Sequence, residues 1–450
     1  MSRSHTTSWL HRGLICAGVY VLTVLPFAQP ASALEKEKHV PITMIINQSP
    51  WYAGFARTVK DYEKETGNKV ELDVTPLVGM LEKIRNSIRA PRGTYDIVPE
   101  WTSVMSSIMA TGLVEPLTNI DPDFRLEEGL CRYSDTAYWD FKNRSFSPSG
   151  ELLGVPINGN VQVLYYREDL YKEHDLEVPK TWDDLIENAK KLHNPPKIYG
   201  MVQRADRTAI EYNFVSYLFS HGGSYLKDPQ NGDMTVTINS PEAVAAMKTY
   251  LRLSEAAGYP NPGSVTQGTM IQLLATGKAA HGIAVIAAWA AMDNPDKSAV
   301  VDKMNAALIP AGPAGHASGL GHWNAMISKN VPDENKKAAL YFLKWLSQFD
   351  VQVQYTRNGA VPTRCDLINS DIAKERQFRF IKALAENSKV AVPFHPVAEA
   401  AQLENILNLR LNQVVIGELS INDGLNKAAE EMHEVLKKAG YRTGMLPPLK

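Results

Sequence analysis

Between Val40 and Val74 the apolar period changes twice. Val40 to Ile46 is a β-branched run suited to a buried strand. Phe55, Val59 and Tyr62 then fall on one face of a helix that Gly67 ends. Val70, Leu72 and Val74 alternate with Glu71 and Asp73, as a half-buried strand does. Strand, helix, strand is the signature of an α/β protein. The loop Asn47-Gln48-Ser49-Pro50-Trp51-Tyr52 joins the first two elements. Further along, Thr181 with Asp184 three residues on predicts a capping box opening a helix over 181–193, striped by Leu185, Ala189 and Leu192. Ser240-Pro241-Glu242 starts another helix, with a cap, a proline in the first turn and a carboxylate near the positive helix end, and Gly258 stops it. A third runs from about Glu334 to Phe349, with Ala338, Tyr341, Phe342, Trp345 and Phe349 on one buried face. No repeat and no low-complexity linker separates domains, so the lobes must interleave or pack closely.

The chain has 450 residues, 44% hydrophobic and 21% charged, an ordinary globular composition long enough for about three domains or two large lobes. Its 47 basic and 49 acidic side chains leave a formal charge of −2, so no basic field exists to hold a polyanion, and nucleic acid is excluded as a partner. The N-terminus sets the compartment. Arg3 and Arg12 precede an uncharged stretch from Gly13 to Leu34, and Ala31-Ser32-Ala33 supplies a signal-peptidase site. Pro26, Gln29 and Pro30 break the apolar run short of the ~20 residues a membrane span needs, so residues 1–33 read as a cleaved signal peptide and the protein as periplasmic. Ile15 before Cys16 is too large for a lipoprotein signal. Cleavage leaves Cys131 and Cys365 in an oxidising compartment, where a single bridge and two separate thiols are both open.

Catalytic and cofactor motifs are missing. There is no Gly-x-Ser-x-Gly elbow and no phosphate-cradling Gly-Lys-Ser/Thr loop, and Gly319-Leu320-Gly321 has Asn324 where a dinucleotide fold needs its third glycine. Histidines stand singly, Glu430 to His433 is one isolated Glu-x-x-His, and adjacent carboxylates such as Glu127-Glu128 diverge in direction. The expectation is therefore no enzyme, no catalytic residue, no metal and no cofactor. Aromatic and amide side chains fill the gap. Of the seven tryptophans beyond the leader, Trp182 and Trp345 belong to helices, whereas Trp51, Trp101, Trp139, Trp289 and Trp323 do not. A flat ring stacks on the apolar face of a pyranose while Asn, Gln and carboxylates take its hydroxyls. Trp139 also suits a core. Trp51 beside Asn47 and Gln48, and Trp323 beside His322 and Asn324, suit a cleft.

In order and spacing, several segments together resemble the family 1 extracellular solute-binding proteins, relatives of maltose-binding protein that feed bacterial ABC importers. They are Phe55 to Val74, Tyr95-Asp96-Ile97-Val98 before Gly112-Leu113-Val114-Glu115-Pro116-Leu117, Gly154-Val155-Pro156 before Val163 to Leu170, Val178 to Leu185, Asn239 to Val244, Gly277 to Ala280 before Trp289, and Ile327 to Asn330. The resemblance implies a two-lobed α/β fold of the type II periplasmic-binding kind, with a ligand cleft between lobes and several hinge crossings. It implies an N-terminal lobe of 34–158 plus 309–350, a C-terminal lobe of 159–308 plus 351–450, and crossings near 158–162, 308–311 and 347–354. Carried over residue by residue, ligand contacts fall on Asn47, Gln48, Trp51, Glu100, Trp101, Asn158, Asn160, Trp289, His322, Trp323 and Arg364. His322 departs from the family's pattern, standing where a glycine is usual. The implied function is a monomeric periplasmic receptor that captures a sugar, oligosaccharide or sugar alcohol by lobe closure and delivers it to an importer permease. An anionic glycerol or sugar derivative is the alternative, motivated by Arg364 and His322; a secreted glycan-cleaving enzyme is a more distant one.

Overall fold

A computed structural model describes residues 34–450; the leader read at 1–33 lies outside the described residues. The opening strand, helix, strand unit forms as its periodicity predicts: β1 (Ile42–Asn47), α1 (Tyr52–Thr66) and β2 (Val70–Thr75). Gly67 ends α1 at φ 72°, a left-handed position that suits glycine, and its amide donates to Glu63 O at 2.9 Å. Strands β3 (Ile97–Trp101) and β4 (Val155–Asn158) follow, with α2 (Thr102–Met109) directly after β3. The chain then enters a second sheet through β5 (Gln162–Arg167), the capped helix α3 (Trp182–Leu192), β6 (Tyr199–Val202), α4 (Ile210–Ser220), α5 (Pro241–Ala257), β7 (Ala279–Val285) and β8 (Met304–Ala307). It returns to the first sheet as β9 (Trp323–Ile327), followed by α6 (Asp333–Ser347), α7 (Phe349–Arg357), α8 (Phe380–Lys389) and α9 (Ala400–Val415).

Two sheets result. The first has strand order β2-β1-β3-β9-β4 and the second β8-β5-β7-β6. In the first, β1 lies parallel to β2 and β3, while β9 runs antiparallel between β3 and β4. This is the expected two-lobed α/β architecture. The chain crosses between sheets at 158–162 and again at 307–323.

The helix expected over Glu334 to Phe349 forms as α6 but ends at Ser347, and a further helix, α7, starts at Phe349. Gln348 turns extended at ψ 146° between them. Its near neighbour Gln352 stabilises the break: Nε2 donates to Leu346 O at 2.7 Å, and Oε1 accepts from Thr363 N at 2.8 Å. The apolar faces of α6, α7 and α1 meet in one aromatic cluster. Phe55 lies edge-on to Phe342 and Tyr355, with ring centroids 6.4 Å away in each case, and Tyr62 lies 5.0 Å from Phe342 and 5.1 Å from Trp345. Burying each such ring contributes about 1.5–3 kcal/mol, which anchors the N-terminus of α1 beside the site. Trp139 is core, fully buried and edge-on to Phe146.

Candidate ligand-binding site

Because β1, β3 and β4 run one way and β9 the other, the ends of the first three and the start of β9 share one edge of the first sheet. The register places Trp101 and Asn158 on either side of Trp323. Asn47 ends β1, and Trp51 opens the following helix with its ring 5.8 Å from that of Trp323. Five predicted residues, Asn47, Trp51, Trp101, Asn158 and Trp323, are thereby brought together. Gln48 lies next to them but is exposed, tied only by its amide to Thr75 O at 3.3 Å.

The chemistry of this edge lies in polar atoms without partners. Asn47 Oδ1, Trp51 Nε1, Asn158 Nδ2, Asn324 Oδ1 and Tyr212 Oη are all buried with no hydrogen bond inside the protein. A buried polar atom left unpaired costs about 1–3 kcal/mol; such atoms also occur elsewhere, at Trp139 and Trp345 for example, but at this edge several are gathered together. Here donors and acceptors are mixed and flanked by indole rings, which is the chemistry that takes a hydroxylated solute. Asn160 links the edge to the second sheet. Its amide donates to Asn158 Oδ1 at 3.1 Å, its Oδ1 accepts from Ala287 N at 3.1 Å, and its carbonyl accepts from Gly321 N at 3.1 Å.

Trp289 contributes from the second sheet, just after β7. Its Nε1 donates to Gln377 O at 2.9 Å, and the Arg379 guanidinium covers one face at 4.4 Å, itself held by Asp293 at 3.0 and 3.1 Å. The ring helps to line a cavity of about 790 Å³ whose other walls are Pro50 and, in α1, Gly54 and Arg57, then Gly359 to Val361 and Asp293 to Lys297; Asn47, Trp51, Trp101, Asn158 and Trp323 do not line it. That volume falls in the range of small-molecule sites.

Glu100 sits opposite Asn324 in the β3–β9 register and is 1% exposed. Burial pushes its carboxyl up to about 8, against the modest counter-effect of the Trp101 amide. The native acid therefore keeps its proton to about pH 8 while the unfolded one loses it near 4.5, so the folded state binds more protons in that window and stability falls as pH rises through it. Glu100→Gln, an isostere of the protonated acid, is expected to flatten this slope and to melt above wild type at about pH 9. A difference in Tm that is the same at about pH 5 and pH 9 would contradict this.

Two predicted residues serve the protein's interior. The His322 imidazole is held between Thr102 Oγ1 at 2.9 Å and Thr136 Oγ1 at 2.7 Å, stacks on Tyr133 at 4.9 Å, and burial lowers its pKa to about 3, so it is neutral. Arg364 spends its donors on Asp366 at 3.0 and 2.6 Å, on Ser347 O at 3.2 Å, on Glu127 at 3.4 Å and on Glu128 O. Next to it, Cys131 and Cys365 form a disulfide with their Cα atoms 4.9 Å apart.

Other residues at the site escaped the sequence. Tyr212 belongs to α4, which is buried almost all round and carries no amphipathic stripe to mark one face. Its hydroxyl lies against Gly321, where a Cβ would come within 2.2 Å of it, so glycine is required there. Asn324, in sequence a neighbour of Trp323, adds an unpartnered Oδ1 of its own. Glu404, on α9, is buried near Glu211 and Glu100; burial and those carboxylates push its pKa up, with Arg204 opposing. Helix α9 packs against both α2 and α4, so it too spans the two sheets. Among the described residues no cluster of His, Cys, Asp or Glu is placed to hold a metal ion, and no helix is long and apolar enough to cross a membrane.

Residues 46–352 match the profile of the bacterial extracellular solute-binding proteins. The chain belongs to that family. A binding protein of Brucella abortus is 25% identical over 430 residues, 93% of this chain and 97% of that one. The mannitol-binding protein of Pseudomonas aeruginosa is 22% identical over 382 residues, covering 80% and 84%. The match to an ABC transporter-binding protein of Deinococcus radiodurans, 28% identical, covers 48% of this chain and about half, 52%, of that one. Among solved structures, an ABC transporter solute-binding protein of Agrobacterium radiobacter K84 in complex with ribitol superposes with a TM-score of 0.74 at 22% identity, over 88% of this chain and 98% of its own. This solute-binding protein shares the two-lobed fold of that structure.

Proposed function

We propose that this protein is a periplasmic receptor for a neutral polyhydroxylated solute, a sugar or sugar alcohol, which it clamps between its lobes and delivers to an ABC importer without turnover. The observation that carries the reading is the set of buried, unpartnered amide, indole and phenol groups around Trp51 and Trp323. Such groups need a ligand rich in hydroxyls, which both donates and accepts. In favour of a neutral solute, His322 is uncharged and Arg364 is paired with carboxylates, so neither of the cations that motivated an anionic ligand is free to meet one. The mannitol-binding relative and the ribitol complex point to the same class.

A thermal-shift screen of the refolded, ligand-stripped protein against hexitols, pentitols, monosaccharides, disaccharides and glycerol phosphates tests this. A ligand at ~100 times its Kd adds about 2.7 kcal/mol, enough for a shift of a few degrees. One neutral class is expected to give that shift, equally at low and high salt. A shift only with the phosphates, fading with salt, would establish the anionic alternative, and release of shortened products from an oligosaccharide would establish an enzyme.

A further inference from the structure

The two crossings between the lobes meet at one side chain. Tyr133, fully buried in a short 3-10 turn (Arg132–Thr136), donates from its hydroxyl to Gly159 O at 2.6 Å on the first crossing. Its ring stacks on His322, at the end of the second crossing, with centroids 4.9 Å apart and planes at 19°. Ser388 Oγ of α8 lies 3.0 Å from the same hydroxyl. Gly159 is wedged against it: a Cβ there would come 1.9 Å from Pro362 O and 3.2 Å from the Tyr133 ring, so only glycine fits. The turn that carries Tyr133 is fixed from the other side. Cys131 N donates to Thr363 O at 3.0 Å, Cys365 N donates to Gly129 O at 2.9 Å, and the Cys131–Cys365 bridge closes the pair two residues from Tyr133. Three otherwise distant segments, 129–136, 158–161 and 320–324, are thus held in register with 361–365.

We propose that Tyr133 is the positioning residue of the hinge: pinned by the disulfide, it sets the geometry in which Asn158, Asn160 and Trp323 converge when the lobes close, without touching the ligand. The role of those three in binding rests on the function proposed above, whereas the coupling between crossings does not. From Gly159 the effect passes to Asn160, whose amide, side chain and carbonyl engage Asn158, Ala287 and Gly321 in turn. From His322 it passes to its neighbour Trp323. A small change at Tyr133 reaches both crossings because they bond each other at Gly321 N–Asn160 O and pair at Val161 and Leu320.

The test compares the full ligand-free protein with Tyr133→Phe by hydrogen exchange. The variant keeps the stacked ring and loses only the hydroxyl. Loss of one buried hydrogen bond predicts about tenfold faster exchange at the amides of Asn160, Ala287 and Gly321, with β2 and the Trp139 region unchanged. A purely structural role would show equal acceleration everywhere or none at the crossings, and either result overturns the proposal. Should Tyr133→Phe fail to fold, the Cys131→Ser/Cys365→Ser double variant is measured in the same way, and faster exchange at those three amides ahead of β2 is again required. A second arm follows dissociation of D-mannitol by tryptophan fluorescence, where Tyr133→Phe is expected to raise the off-rate about tenfold with little change in on-rate. If the crossings loosen but wild type does not bind D-mannitol, the proposed ligand class is in question and the hinge assignment stands. If wild type binds D-mannitol and the variant's exchange and off-rate match it, the hinge assignment falls.

Discussion

Replacing both Cys131 and Cys365 by serine is expected to lower unfolding stability by about 3–5 kcal/mol, among the largest effects available to a double substitution outside the core. The bridge joins residues 234 apart in sequence, so reducing it releases a very long loop into the unfolded chain. Folded-state contacts add to this. The bridge keeps Leu130 paired with Arg364, a buried residue whose guanidinium makes five hydrogen bonds to four groups that would lose it if the strands slid apart. Guanidinium unfolding of wild type and variant, with and without reductant, checks it. The variant should match reduced wild type and both should fall well below oxidised wild type. A loss under about 1 kcal/mol would mean that the native contacts hold the two segments together without the bond.

Trp323→Ala is expected to weaken solute binding by more than about a hundredfold, while Trp139→Ala leaves binding unchanged. Both indoles are buried, and truncating either costs about 3–5 kcal/mol of stability by loss of transfer energy and creation of a cavity. Their surroundings differ. Trp139 packs against Phe146 in a small three-stranded sheet and makes no ring contact with Trp51 or Trp323. Trp323 stands between Trp101 and Asn158 and against Trp51, and removing it opens the wall that the unpartnered amides face. Calorimetric titration of both variants, beside their melting curves, separates the two losses. Equal binding defects would show that Trp323 acts only through stability.

The parts of the fold written in local sequence were legible. The alternation of Val70, Leu72 and Val74 became β2, and Thr181 with Asp184 became a capping box with both of its bonds made. The break at Gln348 was not legible, because nothing local forbids helix there; the turn is stabilised by Gln352 bonding Leu346 and Thr363, a tertiary arrangement. The site divides the same way. Asn47, Trp51 and Trp323 were visible as aromatic and amide groups in predicted loops, since their exposure in sequence terms and burial in space conflict unless something covers them. His322 and Arg364 do not offer a charge to a ligand: the threonines that hold His322 come from 186 and 220 residues away and were out of reach of local reading, whereas the principal partner of Arg364, Asp366, stands only two residues on. Tyr212 was hidden for the opposite reason: a helix buried all round gives no face to single out.

Isothermal titration of the refolded, ligand-stripped protein with D-mannitol, ribitol and maltose, at low and high salt and beside Asn158→Ala, is the direct test of a neutral solute held at the Trp51–Trp323 edge. The account predicts that at least one of the three binds one to one, with a negative heat-capacity change and an affinity indifferent to salt, and that Asn158→Ala weakens it by about tenfold or more while melting within a few degrees of wild type. Absence of binding by all three, or binding untouched by Asn158→Ala, would contradict it.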